Sequence, residues 1–320
     1  MFYAWDIIGH RRQLEQLEQD LEHHRISHAY LFSGPKQIGK FSIARIFATL
    51  LQCPHGFCKT CKDCKAIAAG VHPDTFLFPD EGESLSIDGV RKVIEKANLM
   101  AQGNYRIFVI QAVERMPLEA QNSFLKILEE PPGKTIFILT SSRINEVLPT
   151  LQSRVRHIEF YNVSDDHLKD YLKKRFSARA DLDEIINMAQ GRPGLAISLM
   201  EDMALLSEQR TMYRHIERFL KENNVVEKFL WVEELVEELP DSKDRVEFFF
   251  DAFTRYLRKL LFEYMEGGDH PLRSRFDLKA LVELFESLEK TRYLVRKNSN
   301  KKLALENLFL ATEKVSPDLC

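Results

Sequence analysis

No stretch of this 320-residue chain approaches the roughly 18–20 consecutive apolar residues that a membrane span requires, so a membrane protein is not expected. An excess of either charge is also missing. The 45 Lys and Arg face 48 Asp and Glu, and the resulting net charge of −3 gives no global field that would draw the protein onto nucleic acid. Any DNA contact would then come from a local patch or through partners. The opening Met1-Phe2-Tyr3-Ala4-Trp5-Asp6 has neither a basic region nor a long apolar run. It does not read as a signal peptide, which points to the cytoplasm. No tandem repeat is evident. Cysteine is scarce, with five in the chain, and four of them fall within residues 53–64. Cys320 is a lone terminal thiol and carries no argument.

What is present suits a globular protein of two or three domains. Hydrophobic residues make up 44% of the chain, including 22 Phe, and charged residues 29%. The four clustered cysteines, Cys53, Cys58, Cys61 and Cys64, have the spacing C-x4-C-x2-C-x2-C. In a reducing compartment this pattern indicates metal binding before disulfides. Four thiolates satisfy tetrahedral zinc and leave no open position for a catalytic water, which makes the expected metal a structural zinc. An iron–sulfur cluster or a CxxC redox pair is the alternative.

Ser33-Gly34-Pro35-Lys36-Gln37-Ile38-Gly39-Lys40-Phe41-Ser42 is close to a phosphate-cradling loop. Gly34, Gly39 and Lys40 fit the pattern, in which glycines turn backbone N–H groups onto phosphate oxygens and a lysine adds charge. The hydroxyl that would hold magnesium is replaced by Phe41. The context is right: an apolar strand at 27–32 precedes the loop, and a helix at 42–51 follows it, with Ile43, Ile46, Phe47 and Leu50 on one face. A helix is expected at 11–23, another opening at Ser86 with Val90, Ile94 and Ala97 inward, and a third at 117–128 begun by Pro117. Further strands are expected at 75–78, 105–110, 135–140 and 157–160. Such alternation implies a mostly parallel sheet covered on both faces, with ligands at the carboxyl ends of its strands. Beyond Tyr161 the periodicity is helical only, with faces at Leu168, Tyr171, Leu172 and Phe176 and at Leu182, Ile185, Ile186 and Ala189. Three to five longer helices are expected between about 206 and 311, broken at 240–242 and 267–269. Residues Phe248, Phe249, Phe250 and Phe253 are expected in a core or subunit interface.

Several stretches together resemble bacterial clamp-loader subunits of the AAA+ class, and within it the delta-prime branch. These are Asp6-Ile7-Ile8-Gly9-His10, the approach His28 to Pro35, Asn122-Ser123-Phe124-Leu125-Lys126-Ile127-Leu128-Glu129-Glu130-Pro131-Pro132, Leu148-Pro149-Thr150-Leu151-Gln152-Ser153-Arg154, and Asn298 to Leu308. The cysteines lie where that family carries a zinc module, although the first gap is shorter than the family's. Val155 stands where a cysteine is usual. The resemblance implies an α/β P-loop domain at 1–161 with its zinc module at 53–64, a small helical lid at 162–205 and an all-α collar at 206–320.

The same likeness shows where catalytic groups are missing. Active relatives end the third strand in Asp-Glu, the pair that supports magnesium and orients the attacking water; here those positions hold Gln111 and Ala112. Their nucleotide-sensing arginine aligns with Gly194, and Glu114 falls past the strand end. The expectation is a subunit that does not hydrolyse ATP and for which ATP is not a cofactor. Its chemistry would lie at Arg154, which the resemblance makes an arginine finger reaching into a neighbouring subunit's ATP site. Expected partners are the gamma/tau ATPase subunits and a clamp-opening delta subunit, with the sliding clamp and primed DNA reached through the complex. Two other readings stay open. An active gamma/tau-like ATPase is opposed by Gln111 and Ala112, and a stand-alone zinc-knuckle nucleic-acid-binding protein by the net charge.

Overall fold

All five expected strands occur in the computed structural model, as one sheet: β1 (Ala29–Ser33), β2 (Thr75–Phe78), β3 (Arg106–Ile110), β4 (Thr135–Ser141) and β5 (Arg156–Glu159). The structure describes residues 3, 5–80, 85–176, 179–222, 224–238, 243–267, 271–297 and 299–313. The expected break at 240–242, most of that at 267–269, Asn298 of the collar-like stretch and Cys320 lie outside them, as do Met1, Phe2 and Ala4. The strand order is β2-β3-β4-β1-β5, and every pairing is parallel. From β1 the chain crosses to the far edge, returns through β3 and β4, and finishes on the other side of β1. The order therefore reverses beside β1, and the loop leaving β1 emerges at that switch point.

Two compact units divide the chain, Met1–Ser198 and Leu199–Cys320. In the first, alternation along the strands feeds two cores. Tyr30, Phe32, Ile107, Val109, Ile136 and Ile138 face the helices α1 (Arg11–Glu22) and α2 (Lys40–Gln52) through Leu14, Leu17, Ile43 and Phe47. Ala29, Leu31, Phe108, Ile110, Phe137 and Leu139 point the other way. Beyond α3 (Lys62–Ala68), the helices α4 (Ile87–Ala97), α5 (Leu118–Glu129) and α6 (Pro149–Gln152) complete that second core with Val90, Val93, Phe124, Leu128 and Leu151. Both faces of the central strands β1, β3 and β4 are thus dry. Val93 takes the fully buried place on α4 beside Val90 and Ala97, while Ile94, expected inward, is half-buried. The helices α7 (Asp165–Arg175), α8 (Leu182–Ala189) and α9 (Pro193–Glu201) follow β5, with Leu168, Leu172, Ile185, Ile186 and Ala189 buried.

The second unit is helical: α10 (Met203–Lys221), α11 (Val225–Glu238), α12 (Lys243–Met265), α13 (Leu278–Arg296) and α14 (Lys301–Glu313). Phe249, Phe250 and Phe253 are in its core with Phe219 and Trp231, so this phenylalanine run is packing material. Beside that core, Glu247 of α12 accepts from Arg292 Nη2 at 2.7 Å and from Arg296 Nε at 2.5 Å, both on α13. Burial pushes the Glu247 carboxyl up, but the bonds and charges of the two arginines outweigh it and hold the group at about 2. Folding therefore lowers this pKa from 4.5. The stabilisation is complete above about pH 4.5, is lost as pH falls toward 2, and is on the order of 3 kcal/mol. Acid unfolding of the full chain, followed by helix signal, is expected to lose that step in Glu247→Gln; an unchanged acid limb would contradict the assignment.

Candidate functional site

The loop at the end of β1 keeps the shape of a phosphate cradle. Gly34 has φ 136°, and a Cβ on it would lie 2.2 Å from the Phe160 carbonyl oxygen, so no side chain fits. Gly39 (φ 99°) starts α2 in the left-handed region. The loop's carbonyls, however, are engaged by the protein itself. Lys40 Nζ donates to the carbonyls of Gly34 and Pro35, both at 2.6 Å. The Gly194 N–H donates to Gln37 O at 2.7 Å, and His10 Nε2 donates to Ile38 O at 2.9 Å. A carbonyl only accepts, so that contact fixes the proton of a neutral His10 on Nε2. Burial brings the Lys40 ammonium down to about 8, opposed by nearby Glu114 and reinforced by Arg192 and Lys36. The lysine that would meet a phosphate is thus folded back on its own loop. Phe41, at the place of the magnesium-binding hydroxyl, packs half-buried against the α1–α2 core.

At the end of β3, where the sequence resemblance looks for a carboxylate pair, stand Gln111 and Ala112. Gln111 Oε1 accepts from the Asp80 N–H at 3.2 Å, and Ala112 (φ 55°) turns the chain into a short 3-10 segment, Val113–Arg115. Within that segment Glu114 is buried, and its Oε1 accepts from the Ser142 N–H at 3.0 Å and hydroxyl at 2.6 Å. Its position is past the strand end, bound to the neighbouring loop. Gly194, in the first turn of α9, approaches so closely that a Cβ there would be 2.7 Å from Gln37 O. Beside this contact a cavity of about 470 Å³ remains, walled by Ile7, Ile8, Ile38, Tyr171 and Pro193.

Arg154 follows α6 at the surface, with its side chain 34% exposed. Its Nε and Nη2 donate to Glu129 Oε1 at 2.8 and 2.5 Å. Its Nη1 donates to Thr150 O at 2.8 Å and, more weakly, to Ser153 Oγ at 3.3 Å.

The four cysteines converge. Their sulfurs all lie within 4.8 Å of one another, with Cys53 Sγ 3.8 Å from Cys58 and 3.7 Å from Cys61. A tetrahedron of sulfurs about 2.3 Å from zinc has edges of about 3.8 Å, so the set fits the ion. None of the four is in a disulfide. The Cys61 and Cys64 N–H groups donate to the sulfurs of Cys58 and Cys61 at 3.3 and 3.4 Å, an arrangement that favours thiolates. Bonds from the Thr60 hydroxyl and amide bring Cys58 down to about 5, whereas burial and the neighbouring sulfurs push Cys64 up. A bound cation would resolve that conflict. The connecting turn holds Phe57 and Lys59 at φ 67° and 62°, unusual for residues with a Cβ, as expected where ligands constrain a loop. Lys59 spends its charge on Asp6 at 3.0 Å.

A family profile described as DNA polymerase III, delta subunit, matches residues 9–164, just under half of the chain. Over 135 residues the chain is 39% identical to DNA polymerase III subunit delta' of Pseudomonas aeruginosa, covering 40% of this chain and 41% of that protein. Over these stretches the chain is similar to DNA polymerase III clamp-loader subunits. It is also 30% identical over 207 residues to DNA polymerase III subunit tau of Bacillus subtilis, covering 61% of this chain and 37% of that one. It thus spans well under two thirds of the length of either relative. A solved structure of a DNA polymerase III gamma subunit-related protein from Thermotoga maritima matches with a TM-score of 0.50 over 94% of this chain and 99% of that one, at 19% identity. That likeness is one of fold: a parallel α/β sheet domain with helical domains.

The loop follows β1, Gln111 and Ala112 follow β3, and the four cysteines cluster at the junction of α2 and α3. Three contacts had no local signal: Glu129 on Arg154, His10 on Ile38 O, and Gly194 on Gln37 O. The Glu129-Glu130-Pro131-Pro132 signature marked the segment without indicating what its first carboxylate holds.

Proposed function

We infer that this chain is a non-catalytic, delta-prime-like subunit of the DNA polymerase III clamp loader, and that it lends Arg154 to the ATP site of an adjacent subunit. The observation that carries the non-catalytic half is Gln111 and Ala112 at the strand end, with Gln111 Oε1 taken by the Asp80 N–H. Phosphoryl transfer needs a metal-supporting carboxylate and a group that orients water, and neither residue supplies one. The cavity beside the loop is compatible with weak nucleotide binding through Gly34, Gly39 and Lys40, but ATP is not the chain's cofactor in this reading. Cys53, Cys58, Cys61 and Cys64 would hold zinc as a structural ion.

Its partners in this reading are gamma/tau ATPase subunits and a delta subunit in the cytoplasm, with the sliding clamp and primed DNA engaged by the assembly. Three parts divide the work: the P-loop domain at 1–161, a lid at 162–205 and an oligomerising collar at 206–320. Among the described residues no helix is long and apolar enough to cross a membrane.

The competing reading is an active gamma/tau-like ATPase, favoured by the tau match. The purified chain alone separates the two. Its ATP turnover is expected to stay at background with magnesium and primed DNA present, and to be unaffected by Lys40→Ala. Turnover that Lys40→Ala abolishes would overturn the non-catalytic assignment.

A further inference from the structure

We propose that Glu129 is a holster for Arg154: it holds the guanidinium along this chain's own surface and must release it before the arginine can act on a neighbour. This rests on the reading of Arg154 as a finger used in trans. Glu129 is the last residue of α5, a helix stopped by Glu130 and the rigid Pro131-Pro132 pair, so its carboxylate is presented from a fixed base. The C-terminal end of α5 also carries the negative end of the helix dipole, which favours a cation there. One carboxylate oxygen accepts from both Nε and Nη2, and the Thr150 carbonyl occupies Nη1.

All three guanidinium nitrogens therefore donate to acceptors of this chain. A transferring phosphoryl group needs donors from the same planar fork, so the carboxylate and the phosphoryl oxygens compete for it. The latch is weak by construction. The Arg154 and Glu129 side chains are 34% and 50% exposed, and ion pairs so exposed shift equilibria only a few-fold. An engaged finger is worth about 10³–10⁵ in rate. Docking of an ATP-bound neighbour would win easily, whereas an unliganded or misaligned neighbour would leave the arginine parked. Glu129 is thus a positioning residue that acts through Arg154.

The test uses the reconstituted loader with full-length chains carrying Glu129→Gln, Glu129→Asp, Arg154→Ala, or Glu129→Gln with Arg154→Ala. ATP hydrolysis is measured both without clamp and DNA (the basal rate) and with them (the stimulated rate), and thermal midpoints are measured for each purified chain. Glu129→Gln is expected to raise this basal rate about two- to five-fold with its midpoint unchanged. Glu129→Asp, which keeps the charge, is expected to restore part of the suppression. In the Arg154→Ala background Glu129→Gln is expected to have no effect, a dependence that a merely structural role would not produce. If Arg154→Ala lowers stimulated hydrolysis but Glu129→Gln leaves the basal rate unchanged or lowers it, the holster is wrong and the finger stands. If Arg154→Ala changes nothing, the finger reading fails and takes the holster with it.

Discussion

Replacing Arg154 by alanine is expected to slow ATP hydrolysis at the neighbouring subunit's site by about 10³–10⁵-fold, equivalent to roughly 4–7 kcal/mol of transition-state stabilisation. The loss would come from removing a planar cation placed where negative charge develops on the transferring phosphoryl group. The measurement is clamp- and DNA-stimulated ATPase of the reconstituted loader, with single-turnover conditions isolating the affected site. Arg154→Lys is expected to recover only a fraction, because an ammonium is a point charge without the two-pronged geometry. The fold should not suffer. Arg154 lies outside both cores and its ion pair is partly solvated, so the purified variant should keep its stability within about 1 kcal/mol. Unchanged turnover in the loader would reduce Arg154 to an ordinary surface arginine.

Metal removal is the second large effect. A structural zinc held by four thiolates binds with an apparent free energy of about 10–16 kcal/mol near neutral pH. One zinc per chain is therefore expected after purification, resistant to mild dialysis and lost to strong chelation at acidic pH, where the thiolates protonate. Cys58→Ser or Cys61→Ser should each lower the affinity by orders of magnitude. The consequence is expected to be local. Cys53 and Cys64 are buried where α2 ends and in α3, while the turn between them is largely exposed and held in left-handed conformations at Phe57 and Lys59. Limited proteolysis should then open a new cleavage site within 54–62 while the sheet core survives. Iron in the metal analysis, or no metal at all, would remove the zinc assignment.

The central strands β1, β3 and β4 were legible because each is a short run of residues buried on both faces and bounded by turns, whereas the edge strands β2 and β5 are only partly buried. The β1–loop–α2 unit was legible because glycines and lysine sit at fixed offsets. The short helix α3 was not. It starts within the cysteine module, where the Cys61 sulfur caps it by accepting from the Cys64 N–H, and seven residues show no readable period. On α4 the sequence reading missed Val93, which is fully buried with Val90 and Ala97, while Ile94 packs half-buried at the edge of the same core. At the candidate site, the missing groups at Phe41, Gln111, Ala112 and Gly194 were visible as residue types. What replaced them was not. Lys40 folds onto carbonyls five and six residues back in its own loop, a choice residue type does not set, and Glu129 on Arg154 is a tertiary contact linking residues 25 apart in sequence.

The contact between Gly194 and Gln37 has a consequence for any attempt to build a working nucleotide site into this chain. An arginine at 194 would drive its Cβ against loop backbone, which cannot swing aside as a side chain can. Carboxylates engineered at 111 and 112 and a hydroxyl at 41 would therefore still leave position 194 shut. The close packing of α9 makes the loop's own backbone, and no side chain, the part that has to be redesigned.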